Sequence, residues 1–303
     1  MIEIDIIDFI DEHYDIGVIS VVNLQDGVSS TYLIQGKEEK YLLKFIPESF
    51  KSTAIESLEV LMYLEKHNFP SPRVVPTKLG YPYLYNDKSL TTLYTYTEGK
   101  ELDDHEDFKK IGATIARLHQ LMENYKGPLK EKGKEFFVNR YINILGEKRY
   151  CNSKTAEFKE YGDYLWERVK DLPKGYCHGD LHRGNLIKNS EGDYHLLDFD
   201  TSCNAFPIYD VMILCNSTDY FTYREDLFEL TKIRYEKFLE GYKEYRTLDK
   251  CEIDAFYDLI GIYHYQLQAT IIEIYGLDCV DDAFIDNQLD WLMKWKKQCK
   301  MRL

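Results

Sequence analysis

The chain has 303 residues, enough for two domains or one large domain with a continuous core. Asp and Glu outnumber Lys and Arg by 52 to 38, a net charge of −14, so no basic face for nucleic acid is expected. The start of the chain is acidic where a secretory leader would be positive, no apolar run approaches the roughly 18 residues that span a membrane, and the cysteines form no Cys-x-x-Cys pair. These features predict a cytoplasmic protein with reduced thiols and without a nucleic-acid or membrane partner.

Short strand-like runs and one helix are predicted in the first ninety residues. The helix, Ser52–Asn68, has apolar residues at helical spacing, Ser52 as a candidate N-cap and prolines just beyond its end. The first strand region contains two β-branched runs around a Gln-Asp-Gly turn signal, which is typical of a hairpin. The strand candidates are Gly17–Gln35, Lys40–Ile46, Tyr81–Tyr85 and Ser89–Thr97.

The pattern becomes helical after a polar break at Glu98-Gly99, except for a β-rich insert at 176–200. We therefore predict an N-lobe of residues 1–97 and a C-lobe of residues 98–303. Phe108–Met122 has the clearest buried stripe of the helical segments. Further helices are predicted at 134–150, 154–170, 221–247, 251–275 and 281–300.

The insert concentrates three polar groups that suit metal and proton chemistry. Asp180 lies in His-Gly-Asp, Asn185 follows five residues later, and Asp198 follows a strand, a turn and a second strand. Because such a hairpin brings its ends together, Asn185 and Asp198 can face one point, and their oxygens suit Mg²⁺. Asp180 can receive a proton from an incoming hydroxyl. Taken singly, each of these residues is more often a turn former or a cap.

The combination His-Gly-Asp-Leu-His-x-x-Asn followed by Asp-Phe-Asp resembles the catalytic segment of the aminoglycoside phosphotransferase and choline kinase-like family. The resemblance implies an α+β, bilobal protein kinase-like fold with a small antiparallel-sheet N-lobe and a larger, mainly helical C-lobe. It also implies transfer of the γ-phosphate of ATP, or of GTP, to a hydroxyl of a small molecule. By motif match Asp180 is the catalytic base, Asn185 and Asp198 are Mg²⁺ ligands, and Asp200 supports the metal site.

The resemblance further implies a lysine that binds phosphate and a helix carboxylate that holds it. Lys44, inside an apolar strand, matches that lysine, and a solvated lysine on an edge strand is the alternative. The family spacing puts Ser57 where a glutamate is expected. We predict that Glu56 supplies the carboxylate, with Glu59 as the other candidate, although both can be ordinary surface residues.

The nucleotide-covering loop and the hinge are assigned by the same resemblance. The loop at 24–31 has one glycine, unlike the glycine-rich loop of protein kinases, and Ser29 and Ser30 are its candidate phosphate ligands. The same residues also suit any hairpin. The hinge is placed at 94–99, where the Thr95 carbonyl and the Thr97 amide are expected to bind the adenine.

Two residues outside these motifs are expected to be structural: His119 in the core, and Asp210 as a brace for the catalytic loop. An acidic run near the C-terminus, interleaved with aromatic residues, suits an amine-bearing acceptor, and a solvated helix face over core aromatics is the alternative. The family's acceptors include aminoglycosides, choline, homoserine and sugars. The residues of the run are Asp278, Asp281, Asp282, Phe284, Asp286, Asp290, Trp291 and Trp295.

Two other functions stay open at this point. One is a noncatalytic nucleotide-binding scaffold, against which stands the presence of Lys44, Asp180, Asn185 and Asp198. The other is a protein kinase, which the absence of His-Arg-Asp, Asp-Phe-Gly and Ala-Pro-Glu disfavours. The oligomeric state is left undetermined.

Overall fold

The structure is a computed structural model that describes residues 3–25, 30–86, 89–103 and 106–302. The chain divides into two compact units. The first comprises Met1–Asp104, Tyr125–Leu129 and His182–Ser202, and the second comprises His105–Asn124, Lys130–Leu181 and Cys203–Leu303. This division differs from the predicted 1–97 and 98–303 mainly because 182–202, which contains the candidate metal ligands, belongs to the first unit.

The elements lie close to the predicted ones, with additions. The helices are α1 (Glu3–His13), α2 (Lys51–Lys66), α3 (Phe108–Met122), α4 (Arg140–Glu147), α5 (Asn152–Val169), α6 (Pro207–Cys215), α7 (Asp226–Tyr242), α8 (Lys250–Tyr275) and α9 (Asp282–Arg302). The strands are β1 (Val18–Gln25), β2 (Ser30–Gly36), β3 (Lys40–Pro47), β4 (Val74–Val75), β5 (Leu84–Asn86), β6 (Ser89–Thr95), β7 (Lys100–Glu101), β8 (Lys130–Glu131), β9 (Gly175–Cys177), β10 (Leu186–Lys188), β11 (Tyr194–Leu196) and β12 (Cys203–Ala205).

An antiparallel sheet forms the frame of the first unit, in the order β1-β2-β3-β6-β4, and β5 also pairs with β6. Alternate residues of β2, including Ile34, are buried, and Leu43 and Ile46 of β3 are buried as well. Ile34 and Leu43 pack with Ile6 and Ile10 of α1, a helix that was not predicted. The smaller sheet β11-β10-β7 presents the hairpin that carries the metal-ligand candidates.

Helix α2 packs its apolar side inward, but it begins differently from the prediction. A 3-10 turn at Glu48–Phe50 runs directly into the helix, so Ser52 lies inside the first turn and is not the N-cap. Among the residues that α2 buries are Ala54, Ser57 and Leu61. The phase of the helix therefore directs Ser57 inward, on the same side as its apolar neighbours.

Helices dominate the second unit, and α3 and α7 approach each other most closely at two glycines. A Cβ on Gly112 would lie 2.1 Å from the Phe238 carbonyl oxygen, and a Cβ on Gly241 would lie 1.8 Å from that of Lys109. No side chain fits at such distances, so the two backbones are in direct contact. Ile111 and Ile115 of α3 are fully buried, which contributes about 2 kcal/mol each.

None of the helices in the described part of the chain has the length and apolar character that crossing a membrane requires.

Candidate active site

The first unit brings Lys44 together with two carboxylates. Lys44 extends from the middle of β3, where apolar neighbours fix the strand, and its Nζ lies 3.3 Å from Asp200 Oδ2 and 3.7 Å from Asp198 Oδ1. Burial lowers the pKa of Lys44, but the charges of Asp200 and Asp198 outweigh it and leave that pKa raised. Lys44 is therefore a cation held beside carboxylates and not a solvated surface residue.

Asp200 has a second partner on helix α2. The Ser57 hydroxyl donates a 2.9 Å hydrogen bond to Asp200 Oδ1. Burial raises the pKa of Asp200, whereas the Lys44 ammonium and the Ser57 hydroxyl lower it, and the lowering prevails. The carboxylate is thus stabilised in its ionised form by both neighbours.

The structure does not bring Glu56 to Lys44. The ion pairs of Lys44 within the described residues are with Asp198 and Asp200. Glu56 and Glu59 instead lie near Tyr125, whose pKa is raised to about 12 by burial and by the charges of these two glutamates. The reason is the phase of α2, because the inward position falls on Ser57 and a helix places its neighbour Glu56 roughly 100° away.

Asn185 and Asp198 line the same cavity as Lys44. This cavity has a volume of about 200 Å³, and its walls also include Tyr94, Ser57 and Asp200. The Leu197 amide donates a 2.9 Å hydrogen bond to the Asn185 carbonyl, which ties the two ends of the hairpin together as the strand-turn-strand pattern predicts. Asp198 has φ 57°, the left-handed region that Asp tolerates better than most residues.

The donor set of this cavity fits Mg²⁺. Asn185 and Asp198 offer amide and carboxylate oxygens, the hard ligands that Mg²⁺ prefers, and two protein ligands leave positions for waters and phosphate oxygens. No cluster of three or more His, Cys, Asp or Glu side chains suited to a metal ion occurs in the ranges that the structure describes. A site of few protein ligands is what Mg²⁺ with a nucleotide needs.

The remaining candidates for nucleotide binding lie in the predicted loop and in the predicted hinge. Ser29 lies outside the described residues, and Ser30 begins β2 opposite Phe45. The Thr95 amide donates to the Arg73 carbonyl and its hydroxyl accepts from the Arg73 amide, both at 2.9 Å, so Thr95 is held by backbone pairing. Thr97 follows the end of β6 and is half-buried.

Asp180 belongs to the second unit, where Asp210 holds its loop. The amides of His178 and Gly179 donate to the Asp210 carboxylate at 2.6 and 2.9 Å, and Gly179 has φ 84°, a conformation that favours glycine. Asp210 is fully buried, and His119 Nε2 lies 3.2 Å from it. These contacts give Asp210 the bracing position that the sequence predicted and give His119 the predicted structural one.

A row of polar side chains runs along α8 from the neighbourhood of Asp180. Burial and, after it, the charge of Asp180 raise the pKa of Tyr263 to about 12, so Asp180 lies within electrostatic range of this helix. The Tyr209 hydroxyl donates to Gln266 at 3.3 Å, and the Gln266 amide and the Arg140 guanidinium both donate to the Thr270 hydroxyl, at 3.1 and 3.0 Å.

Arg140 continues this row to a carboxylate. Its guanidinium binds Glu273 in a bidentate pair, with distances of 2.9 and 2.5 Å. The Glu273 side chain is 48% exposed, and that of Arg140 is 19% exposed. Sequence reasoning missed this group, which we call the α8 row; its members are Tyr209, Tyr263, Gln266, Thr270, Arg140 and Glu273.

The acidic run near the C-terminus does not form an aromatic-walled acidic site. Asp286 pairs with Lys154 at 2.5 Å, and Asp290 pairs with Lys294 at 2.5 Å. Trp291 and Trp295 are 2% and 1% exposed, inside the core. The run is therefore a solvated helix face over core aromatics, which is the alternative that the sequence left open.

Comparison with known proteins identifies the family. Residues 20–248 match the model of APH, the phosphotransferase enzyme family. The chain belongs to this family. A homoserine kinase of Methylobacillus flagellatus is 22% identical over 244 residues, which are 78% of this chain and 74% of that protein.

Solved structures of small-molecule kinases have the same fold as this chain. An amicoumacin kinase in complex with AMP-PNP and Ca²⁺ has a TM-score of 0.79 at 19% identity, covering 98% of this chain and 94% of that one. A microcompartment-associated aminopropanol kinase has a TM-score of 0.72 at 18% identity, covering 98% and 95%. These structures confirm the predicted α+β, protein kinase-like fold. As a member of the family, this chain is a small-molecule phosphotransferase that acts on a hydroxyl group.

Proposed function

We propose that this phosphotransferase uses MgATP to phosphorylate the hydroxyl of a small, amine-bearing molecule in the cytoplasm. The observation that carries the proposal is the 200 Å³ cavity of the first unit, where Lys44, Asn185 and Asp198 lie together. A cation beside hard oxygen ligands is the arrangement that phosphoryl transfer requires around a triphosphate.

Each group of the first unit has a separate role. Lys44 binds phosphate oxygens and offsets part of the negative charge that spreads over them during transfer. Asn185 and Asp198 would hold Mg²⁺, which when bound supplies further positive charge against the phosphates. The Thr95 carbonyl and the Thr97 amide face the adenine, and Ser29 and Ser30 contact the phosphates.

Asp180 is the proposed catalytic base. It accepts the proton of the acceptor hydroxyl while the hydroxyl oxygen attacks the γ-phosphorus in line with the departing diphosphate. The bond to the bridging oxygen of the nucleotide breaks as the new P–O bond forms. The Asp210 brace keeps the Asp180 loop in one conformation, so that the carboxylate is placed before the acceptor arrives.

The α8 row supports a compact polar acceptor. Tyr263 lies near Asp180, and Gln266 and Thr270 continue along the same helix face. Glu273, half-exposed and paired with Arg140, closes the far end of the row. Relatives named homoserine kinase and aminopropanol kinase act, by their names, on hydroxyl compounds that carry an amine. The cysteines of the chain are all free thiols, which suits the reducing cytoplasm.

The test is the release of nucleoside diphosphate from MgATP and from MgGTP over a panel of homoserine, aminopropanol, choline, aminoglycosides and sugars. We expect turnover of an amine-bearing alcohol with MgATP, and loss of Mg²⁺-dependent nucleotide binding in Asp198→Asn, a substitution that the left-handed backbone accepts. Nucleotide binding without turnover of any acceptor would instead favour a noncatalytic scaffold. Phosphorylation of a protein substrate alone would favour a protein kinase.

A further inference from the structure

The two carboxylates beside Lys44 are not equivalent. Asp200 lies 3.3 Å from the ammonium and Asp198 lies 3.7 Å from it, and their side chains are 39% and 49% exposed. A charge pair is stronger when it is shorter and less hydrated. Asp200 is therefore the principal partner of Lys44.

Asp200 is itself held from helix α2. Its Oδ1 accepts from Ser57 while its Oδ2 accepts from Lys44, so the carboxylate cannot rotate without breaking one of the two hydrogen bonds. Ser57 is 2% exposed, and α2 packs against the turn Phe199–Thr201 that carries Asp200. The contacts therefore run from Lys44 through Asp200 to the buried Ser57 hydroxyl, which lies on a packed helix.

We propose that Ser57 and Asp200 are the positioning residues for Lys44. The carboxylate that orients the lysine comes from the turn after Asp198, and α2 contributes the hydroxyl that fixes this carboxylate. The inference rests on the proposed role of Lys44 in nucleotide binding. Metal binding and the orientation of Lys44 then belong to different carboxylates, because Asp198 can turn toward a metal ion while Asp200 keeps Lys44 in place.

The arrangement can be tested by moving the carboxylate onto the helix. Asp200→Ser removes the partner of Lys44, and Ser57→Glu adds a carboxylate on α2 that faces Asp200. In the double variant Ser57→Glu/Asp200→Ser the carboxylate and the hydroxyl exchange places. A glutamate extends two carbons further than a serine and can reach the space that Asp200 vacates. Ser52→Glu, exposed on the same helix, is the matched control.

Two measurements report on Lys44 itself. One is the affinity for a fluorescent ATP analogue with Mg²⁺. The other is the rate at which an acyl phosphate of ATP acylates the Lys44 amine, with release of ATP, located by peptide mass mapping. We expect each single variant to lower the affinity by about tenfold and to shift the acylation rate away from the wild-type value, and the double variant to return both to within about threefold of the wild type. Ser52→Glu should match the wild type.

The result that would overturn the proposal is a double variant no better than the weaker single variant, in proteins that melt like the wild type. Should the double variant not fold, Ser57→Thr, which keeps the hydroxyl, and Ser57→Ala, which lacks it, give a second test. Equal acylation rates in these two would also overturn it. If the wild type bound no nucleotide, the proposed function would fail before any variant was compared.

Discussion

The two units hold their functional side chains in different ways. In the first unit, Lys44 and Asp200 are fixed by contacts between side chains, and both are partly exposed in a cavity. In the second, Asp180 follows a loop whose backbone amides bind the fully buried Asp210. The ion pair of Lys44 with Asp198 can be exchanged when a nucleotide and a metal arrive, whereas the buried Asp210 network keeps one geometry. The comparison suggests that the nucleotide groups adjust on binding and that the catalytic base is set in advance.

The largest effect is expected from Asp180→Asn. The amide keeps the shape of the side chain but cannot accept the hydroxyl proton, so the kcat should fall by about a thousandfold. The affinity for ATP should stay unchanged, because the nucleotide groups belong to the other unit. Steady-state kinetics and nucleotide titration measure the two quantities, with the exposed Asp171→Asn as the control. A wild-type kcat in Asp180→Asn would contradict its assignment as the base.

Removing the brace should be the next most severe change. Asp210→Ala leaves the amides of His178 and Gly179 without their partner, which costs about 3 kcal/mol in the free energy of unfolding. Urea unfolding would show this as a lower midpoint, and turnover should fall with it. Asp226→Ala, at an exposed pair with Arg224, should leave the midpoint unchanged. If Asp210→Ala unfolded at the wild-type midpoint, the Asp210 network would not be what fixes the loop before Asp180.

A buried histidine, His264, should also make the second unit sensitive to acid. Burial lowers the pKa of His264 from 6.5 to about 3, because the charged ring would lose its hydration beside Trp291. Between these values the unfolded chain binds a proton that the folded chain does not, so stability falls as the pH falls below about 6.5.

The titration of His264 changes the free energy of unfolding by at most about 1.4 kcal/mol per pH unit, since one pKa unit corresponds to that free energy. It should disappear in His264→Phe, which keeps an aromatic ring against Trp291 but cannot titrate. Urea unfolding of both proteins at pH 7, 6 and 5 measures the difference. Parallel pH curves for the two proteins would rule out His264 as the source.

The smallest effect is expected in the α8 row. Gln266→Leu removes the hydrogen bonds to Tyr209 and Thr270 while keeping a similar volume, so the KM for the acceptor should rise about fivefold. The KM for ATP should not change. Gln120→Leu on α3, where the Gln120 amide donates to the Tyr245 carbonyl at 3.0 Å, serves as the control. A rise in the KM for ATP alone would show that the row does not face the acceptor.

The sequence was most informative where local pattern decides structure. β-Branched and apolar runs placed β2 and β3, apolar spacing placed α3 with its observed bounds, and the hairpin pattern brought Asn185 and Asp198 to one cavity. Helix α6 was missed because all its residues are buried, so it has no polar face and no helical period to read. Periodicity needs two different environments on the two sides of an element.

The details of the site were less predictable than the fold. Ser57 and not Glu56 meets Asp200, because packing against neighbouring elements fixes the phase of α2 and a one-residue shift cannot be read from spacing. Arg140 and Glu273 meet across more than a hundred residues of chain, and no local pattern links them. The signal that could have found Ser57 is its place among the apolar residues Ala54, Leu58 and Leu61.

The contact of α3 and α7 at Gly112 and Gly241 has a consequence for the interpretation of large mutational data sets. Any side chain at either position must push the two helices apart, and α3 carries His119 while α7 carries its partner Tyr242. In a saturation library selected for activity, both positions should be depleted of every residue except glycine, as fully as Asp180. A depletion map alone would group the two glycines with the catalytic residues. Only a parallel measurement of protein abundance would separate loss of folding from loss of catalysis.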